Sequence, residues 1–261
     1  MKALNDFNDW FALKVLALPD RAAAGAKPVD DLIVVVHYLM LALFIGWVAY
    51  FIYTLWRFNA RRNAKASYEG SKSSMPKYVE YLIVGIEAFL LLVLAIPLWG
   101  KNVEKFPEAE KSTLVNVVAQ QFAWNARYPG LDGKFGAQEM RLDNETNIFG
   151  VDPADPAGKD DVVVLNEIHV PVDKDVIIYL TSKDVIHSLK LIAMRTTQDA
   201  IPGLRIPFSF KPTKIGRYQI ECAQLCGGGH ASMAGGFVVV DDLADFEKWL
   251  KSKSGGATSF E

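Results

Sequence analysis

Two long apolar runs near the N-terminus set the first limit on what this chain can fold into. Leu32 to Trp56 is a run of 25 residues in which His37 and Thr54 are the polar interruptions. A helix crosses a hydrocarbon core of about 30 Å with about 20 apolar residues, so this run is long enough to span a membrane. A second span is predicted from about Tyr78 to Trp99, with Pro97 and Gly100 at its end. Between the two lies a loop, 57–77, holding Arg57, Arg61, Arg62, Lys65, Lys72 and Lys77 against one acid, Glu69. Such a basic loop marks the cytoplasmic side. The hairpin therefore occupies 32–100 and places both termini and everything after Gly100 on the outer side. These two runs explain why 51% of the residues are apolar and the mean hydropathy is +0.13. The net charge of −2 averages over an uneven distribution, and the one basic patch lies between the spans. No nucleic-acid partner is expected.

Residues 1–31 precede the hairpin. The apolar stretch WFALKVLALP followed by RAAAGAKP has the outline of a signal peptide, but Asp6 and Asp9 stand where a basic region is expected. The segment reads as an amphipathic element lying on the outer membrane surface. Inside the second span stand two carboxylates, Glu80 and Glu87. Ionisable groups at membrane depth are costly and face protein or water, often along proton paths. Glu80 lies near the inner end, where an interfacial position is the plain alternative; Glu87 is deeper and would face a partner. His37 reads as a hydrogen-bonded structural histidine.

The densest chemistry lies in GRYQIECAQLCGGGHASMAGGF, 216–237. It contains the two cysteines of the chain, Cys222 and Cys226, followed by His230 and Met233. Thiolate, imidazole and thioether are ligands that copper favours over magnesium, calcium or manganese. Two other readings stay open on these residues alone. Cysteines four apart could close a disulfide loop in an oxidising compartment. A C-x3-C with a histidine could hold zinc, although zinc sites favour C-x2-C and rarely recruit methionine.

From 101 to 261 the chain reads as many short strands with turn punctuation, the pattern of an all-β sandwich or barrel. The stretch LVNVVAQQFAWNARYPG alternates like one strand, with Phe122, Trp124 and Tyr128 on a common face. Residues 130–161 form a long loop with six acids from Asp143 to Asp161, a solvated surface or a steering patch for a basic partner. Strands are expected at about 162–170, 175–181 and 237–240, and a helix near 243–252. His187 follows a strand in SKDVIHSLKL, and a polar Gly/Ser tail closes the chain.

With His187 included, the pattern becomes H…C-x3-C-x3-H-x2-M after two spans and a β domain. It resembles subunit II of the haem-copper cytochrome c oxidases, through DVIHS at His187, DAIPG at 199–203 and CAQLCGGGHASM at 222–233. The resemblance covers about 30–250 and implies a two-helix transmembrane hairpin followed by a cupredoxin-like Greek-key barrel or sandwich. It implies a binuclear centre, with two copper ions bridged by Cys222 and Cys226. His187 and His230 would each bind one copper, with Met233 and the backbone carbonyl of Gln224 as weak ligands. Phe122 aligns with the residue that receives the electron from the donor, with Trp124 two residues on. Glu80 matches the carboxylate at the mouth of a proton channel. The family commonly has glutamate at 224, reaching a magnesium at the boundary with subunit I; the neutral Gln224 lacks the charge for that role.

The implied function is an electron-transfer subunit of a terminal oxidase in a bacterial inner membrane. Electrons from a cytochrome c-type donor would pass to the haem centres of subunit I, for oxygen reduction coupled to proton translocation. Subunit I, subunit III and lipid are the implied partners. No C-x-x-C-H occurs, so the chain itself attaches no haem covalently. The alternatives are a membrane-tethered copper-binding or assembly protein, and a subunit of another reductase with the same copper centre, such as nitrous oxide reductase. The latter calls for a histidine-rich domain, and this chain has four histidines.

Overall fold

The computed structural model describes residues 2–65, 68–70, 72–103 and 106–254, so the expected Gly/Ser tail after 254 lies outside the described residues. The chain divides into two compact units, Met1–Leu18 with Pro28–Lys101 and Pro19–Lys27 with Asn102–Glu261.

The first unit is helical. Helix α1 spans Lys2–Trp10 and continues into a π turn at Phe11–Val15. Helix α2 spans Ala26–Arg57, beginning six residues before the expected span. Pro28 in its first turn and Asp30 and Asp31 in the next break the hydropathy but not the helix, because proline is tolerated in a first turn. Helix α3, Met75–Phe89, passes through a π turn at Leu90–Ala95 into α4, Ile96–Val103. The wide turn precedes Pro97, whose ring would otherwise press on the carbonyl four residues back. α2 and the stretch Met75–Lys101 are both long and apolar enough to cross a membrane.

The second unit is a sandwich of two five-stranded sheets. One has the order β3-β2-β1-β5-β8, built from Val162–Leu165, Ala123–Tyr128, Thr113–Gln120, Val176–Ser182 and Ile206–Phe210. The other has the order β4-β10-β9-β6-β7, from Glu167–Pro171, Phe237–Asp241, Gly216–Cys222, His187–Leu191 and Thr196–Ala200. Parallel pairs β1·β5 and β4·β10 within otherwise antiparallel sheets give the cupredoxin-like key-shaped connections. Between the sheets lie Val115, Val117, Trp124, Ala126 and Tyr128 from one side and Ile168, Val170, Leu189, Ile220 and Val238 from the other. Helix α5, Leu243–Lys253, is capped by Asp242, whose side chain accepts from the Asp245 N–H.

Three expectations are corrected here. The stretch 114–130, read as one alternating strand, is a hairpin that reverses at Gln121–Phe122, with Gln120 paired to Ala123. The single strand at 162–170 is two strands in different sheets. The chain changes sheet at Asn166, which adopts a left-handed φ of 57°, tolerated by asparagine. Its backbone and side chain bond the Trp124 carbonyl (2.7 Å) and N–H (2.9 Å). Residues 1–31 are not one segment. Pro19–Lys27 is sewn into the β unit, with Ala22 N–H on the Ala193 carbonyl (2.8 Å) and Thr213 N–H on the Ala22 carbonyl (2.8 Å). Ala22 and Ala23 complete the core there.

Candidate metal centre

The strands deliver the ligands. Cys222 ends β9, and β6 beside it pairs Leu189 with Cys222. His187 therefore begins a strand rather than following one, two residues along β6 from that pair. Cys226, His230 and Met233 follow on the loop between β9 and β10, whose second half is a 3-10 turn at His230–Gly235.

These side chains converge. The sulfurs of Cys222 and Cys226 lie 3.9 Å apart, and both cysteines are free, which removes the disulfide reading. His230 Nδ1 is 3.4 Å from Cys226 Sγ, and Met233 Sδ is 3.4 Å from the same sulfur. His187 Nδ1 is 4.0 Å from Cys222 Sγ, and the Gln224 carbonyl oxygen is 3.1 Å from it. Ligand atoms of His187, Cys222 and Cys226 lie within 4.8 Å of one another, and all three residues are buried. The structure thus brings together every predicted metal ligand.

The donor set fits copper. Three sulfurs and two imidazole nitrogens form a softer set than zinc sites use. His187 Nε2 donates to Asp184 Oδ1 (2.8 Å), so the lone pair of Nδ1 is turned toward the sulfurs. Burial alone would raise the pKa of Asp184. The hydrogen bonds from His187, Gln121 and Val185 outweigh it and hold the carboxyl below its usual range, as an anion. Burial, and next the neighbouring Cys222, push the Cys226 thiol up to about 11.

Asp184 and Gln121 are functional residues that sequence reasoning missed. Gln121 donates its backbone N–H to Asp184 Oδ2 (2.6 Å) and its side-chain amide to the Cys226 carbonyl (2.6 Å). One residue thereby links the hairpin tip to a ligand and to the carboxylate orienting another.

Phe122 and Trp124 lie at different depths. Phe122 is half-buried, and its ring covers the ligand-loop backbone: a Cβ at Gly229 would sit 2.4 Å from Phe122 Cδ2. Gly227, at a φ of 140°, lies under the same ring. Trp124 is fully buried, edge-on to His187 at 6.1 Å, with its indole N–H on the Met233 carbonyl (3.1 Å). Trp124 thus has no surface for a donor to touch, and of this pair Phe122 is the exposed member. Glu80 is exposed, lining a cleft of about 810 Å³ with Gly46, Trp47 and Tyr50 of α2. It lies in the helical unit, not among the ligands. His37 Nδ1 bonds the Ile33 carbonyl of its own helix (2.7 Å).

Residues 113–241 match the family described as cytochrome c oxidase subunit II, periplasmic domain. The chain is 28% identical over 226 residues to the alternative cytochrome c oxidase subunit 2 of Bradyrhizobium diazoefficiens, covering 86% of this chain and 80% of that protein. It is also 28% identical over 266 residues to cytochrome c oxidase subunit 2 of Cereibacter sphaeroides, covering 94% and 85%. The crystallised periplasmic domain of subunit II of cytochrome oxidase from Bradyrhizobium japonicum is 29% identical. It covers 57% of this chain and 96% of that one, with a TM-score of 0.42.

Proposed function

The chain belongs to the cytochrome c oxidase subunit II family, a membrane-anchored part of a haem-copper oxidoreductase, and from that premise we propose the finer assignment. Its centre is binuclear, with two copper ions held by His187, Cys222, Cys226, His230, Met233 and the Gln224 carbonyl. The convergence of these six donors around the buried pair of cysteine sulfurs is the observation that carries the reading. Bound copper supplies one-electron redox chemistry. The residues around it fix the donors and keep water out. Asp184 holds the His187 ring, Gln121 holds the Cys226 carbonyl, and Trp124 holds the Met233 carbonyl. A site whose donors are fixed before the metal arrives changes little between redox states.

An outer-side cytochrome c-type donor delivers electrons at Phe122, which presses on the ligand loop, and subunit I receives them. Subunit III and lipid complete the surroundings. The inner-membrane location and outer-side topology rest on the basic loop between the helices. Glu80 stands at the inner end of its helix as the start of a proton path. With Gln224 neutral, the chain offers no charged magnesium ligand at that position.

The test uses the full chain in detergent, because Pro19–Lys27 is part of the β unit. Copper content and electron paramagnetic resonance of the loaded chain should give two coppers sharing one unpaired electron. One labile cuprous ion per chain would instead make it a carrier. Within the assembled oxidase, Phe122→Ala should slow reduction by cytochrome c. Unchanged rates for both that variant and Trp124→Ala would remove the electron-uptake assignment.

A further inference from the structure

Helix α1 and the turn after it present an apolar face that the copper chemistry does not use. Phe7, Trp10, Leu13 and Val15 are all exposed, Trp10 by 52%. At 100° per residue, positions 7, 10 and 11 share one arc of α1, and Asn5, Asp6, Asn8 and Asp9 fall on the opposite arc. The helix is fastened to α2 at one level. Phe7 and Phe11 pack on Tyr38, with ring centroids 6.5 and 5.3 Å away, and the Tyr38 hydroxyl donates to Asn8 Oδ1 (2.8 Å).

That level can be located in a bilayer. The inner end of α2 is marked by Trp56 and Arg57, with the Arg62 guanidinium 4.1 Å over the Trp56 ring. Counting back about 20 residues at about 1.5 Å each, the thickness of a hydrocarbon core, arrives at His37–Tyr38. The same count along α3 and α4 from Lys77 arrives at Pro97, two residues before the exposed Trp99. Tyr38 and Trp99 thus stand at the outer boundary, where aromatic side chains favour the headgroup level. A short helix with one aromatic face, docked on Tyr38, lies where acyl chains meet headgroups.

We propose that Lys2–Val15 is a third membrane anchor, lying in the plane of the outer leaflet with Phe7 and Trp10 against phospholipid acyl chains. Asn5 and Asp6, off that arc, are exposed. Because Asp6 and Asp9 give no attraction to anionic headgroups, the contact is apolar and neutral phospholipid suffices. The assignment is independent of the copper reading, because its readout is the same with or without bound metal.

The test is photocrosslinking of the intact oxidase in nanodiscs of palmitoyl-oleoyl phosphatidylcholine, with p-benzoylphenylalanine replacing Trp10 in one sample and Asp6 in another. The expected result is one phosphatidylcholine mass added to this chain from position 10 and none from position 6. A crosslink from position 10 to another oxidase subunit overturns the proposal, as does the absence of any adduct. If the position-10 variant does not assemble, position 7 replaces it with the same two outcomes.

Discussion

Replacing Asp184 with asparagine isolates what one carboxylate does for the centre. Its two oxygens accept three N–H groups: His187 Nε2 at 2.8 Å and Val185 N at 2.7 Å on Oδ1, and Gln121 N at 2.6 Å on Oδ2. Asparagine has the same shape but one acceptor oxygen. In the better of its two orientations that oxygen serves His187 and Val185, and the amide NH2 confronts the Gln121 N–H. One bond to a charged acceptor is lost, which costs about 1.5–3 kcal/mol. The Asp184 side chain is 30% exposed, so water relieves part of this and the low end applies. That cost falls on the folded chain with or without metal; copper affinity should fall about tenfold because the acceptor facing His187 Nε2 loses its charge, the lower limit for weakening an orienting partner of a metal-bound histidine. The assay is competition against a copper chelator, with the full chain in detergent and helicity checked by circular dichroism. Equal affinity and an identical copper spectrum in the folded variant would refute the orienting role.

Two further outcomes follow from the same coordinates. The Cys226 thiol, raised to about 11 by burial and then by Cys222, is protonated at neutral pH and must lose its proton to bind copper. Apparent copper affinity should therefore rise with pH, by about tenfold per unit for this proton alone, up to about pH 11, and a rise that levels off near the ordinary thiol value of 9.0 contradicts the shift. In the loop 130–161, the buried Arg127 bonds Asp161 through Nε (3.0 Å) and the Gly136 carbonyl through Nη2 (2.8 Å). Asp161→Asn leaves that guanidinium without its counter-charge and should destabilise the β unit by about 3–5 kcal/mol in urea unfolding, and an unshifted midpoint excludes this.

What the sequence revealed and what it hid divide along physical lines. The membrane spans were legible because sustained apolarity over more than 20 residues has few other solutions. Four of the side chains that the structure brings together were legible because they fall within twelve residues, and His187 because DVIHS resembles a known motif. Gln121 was not, since its contacts join residues 63 and 105 apart in the chain, and Asp184, three residues before His187, carries no signal of its own that its carboxylate turns onto Nε2. The hairpin at Gln121–Phe122 carries no glycine, proline or asparagine, so the alternation of β1 runs into β2 without a turn signal. At Asn166 the strand pattern is again unbroken; only the left-handed backbone reveals the change of sheet. Pro19–Lys27 looked like part of an outer segment because alanines such as Ala22 and Ala23 carry little pattern of their own. Their place in the core is set by the β domain that receives them.

The arrangement of the ligands also separates electron transfer from copper delivery. A carrier must let its donors part, so that a receiving site can take the ion. Here four of the six donors are tied to different pieces of the sandwich by contacts that owe nothing to the metal. His187 is held by Asp184, Cys222 by the pairing of β6 and β9, Cys226 through Gln121 and Met233 through Trp124. Phe122 closes over the glycine backbone between Cys226 and His230, so opening the loop means displacing a ring from the hairpin tip. Releasing the ion would require breaking several of these ties together, whereas passing an electron requires breaking none. The geometry therefore favours a resident redox centre over a transient cargo site, and it does so through residues outside the ligand set as much as through the ligands.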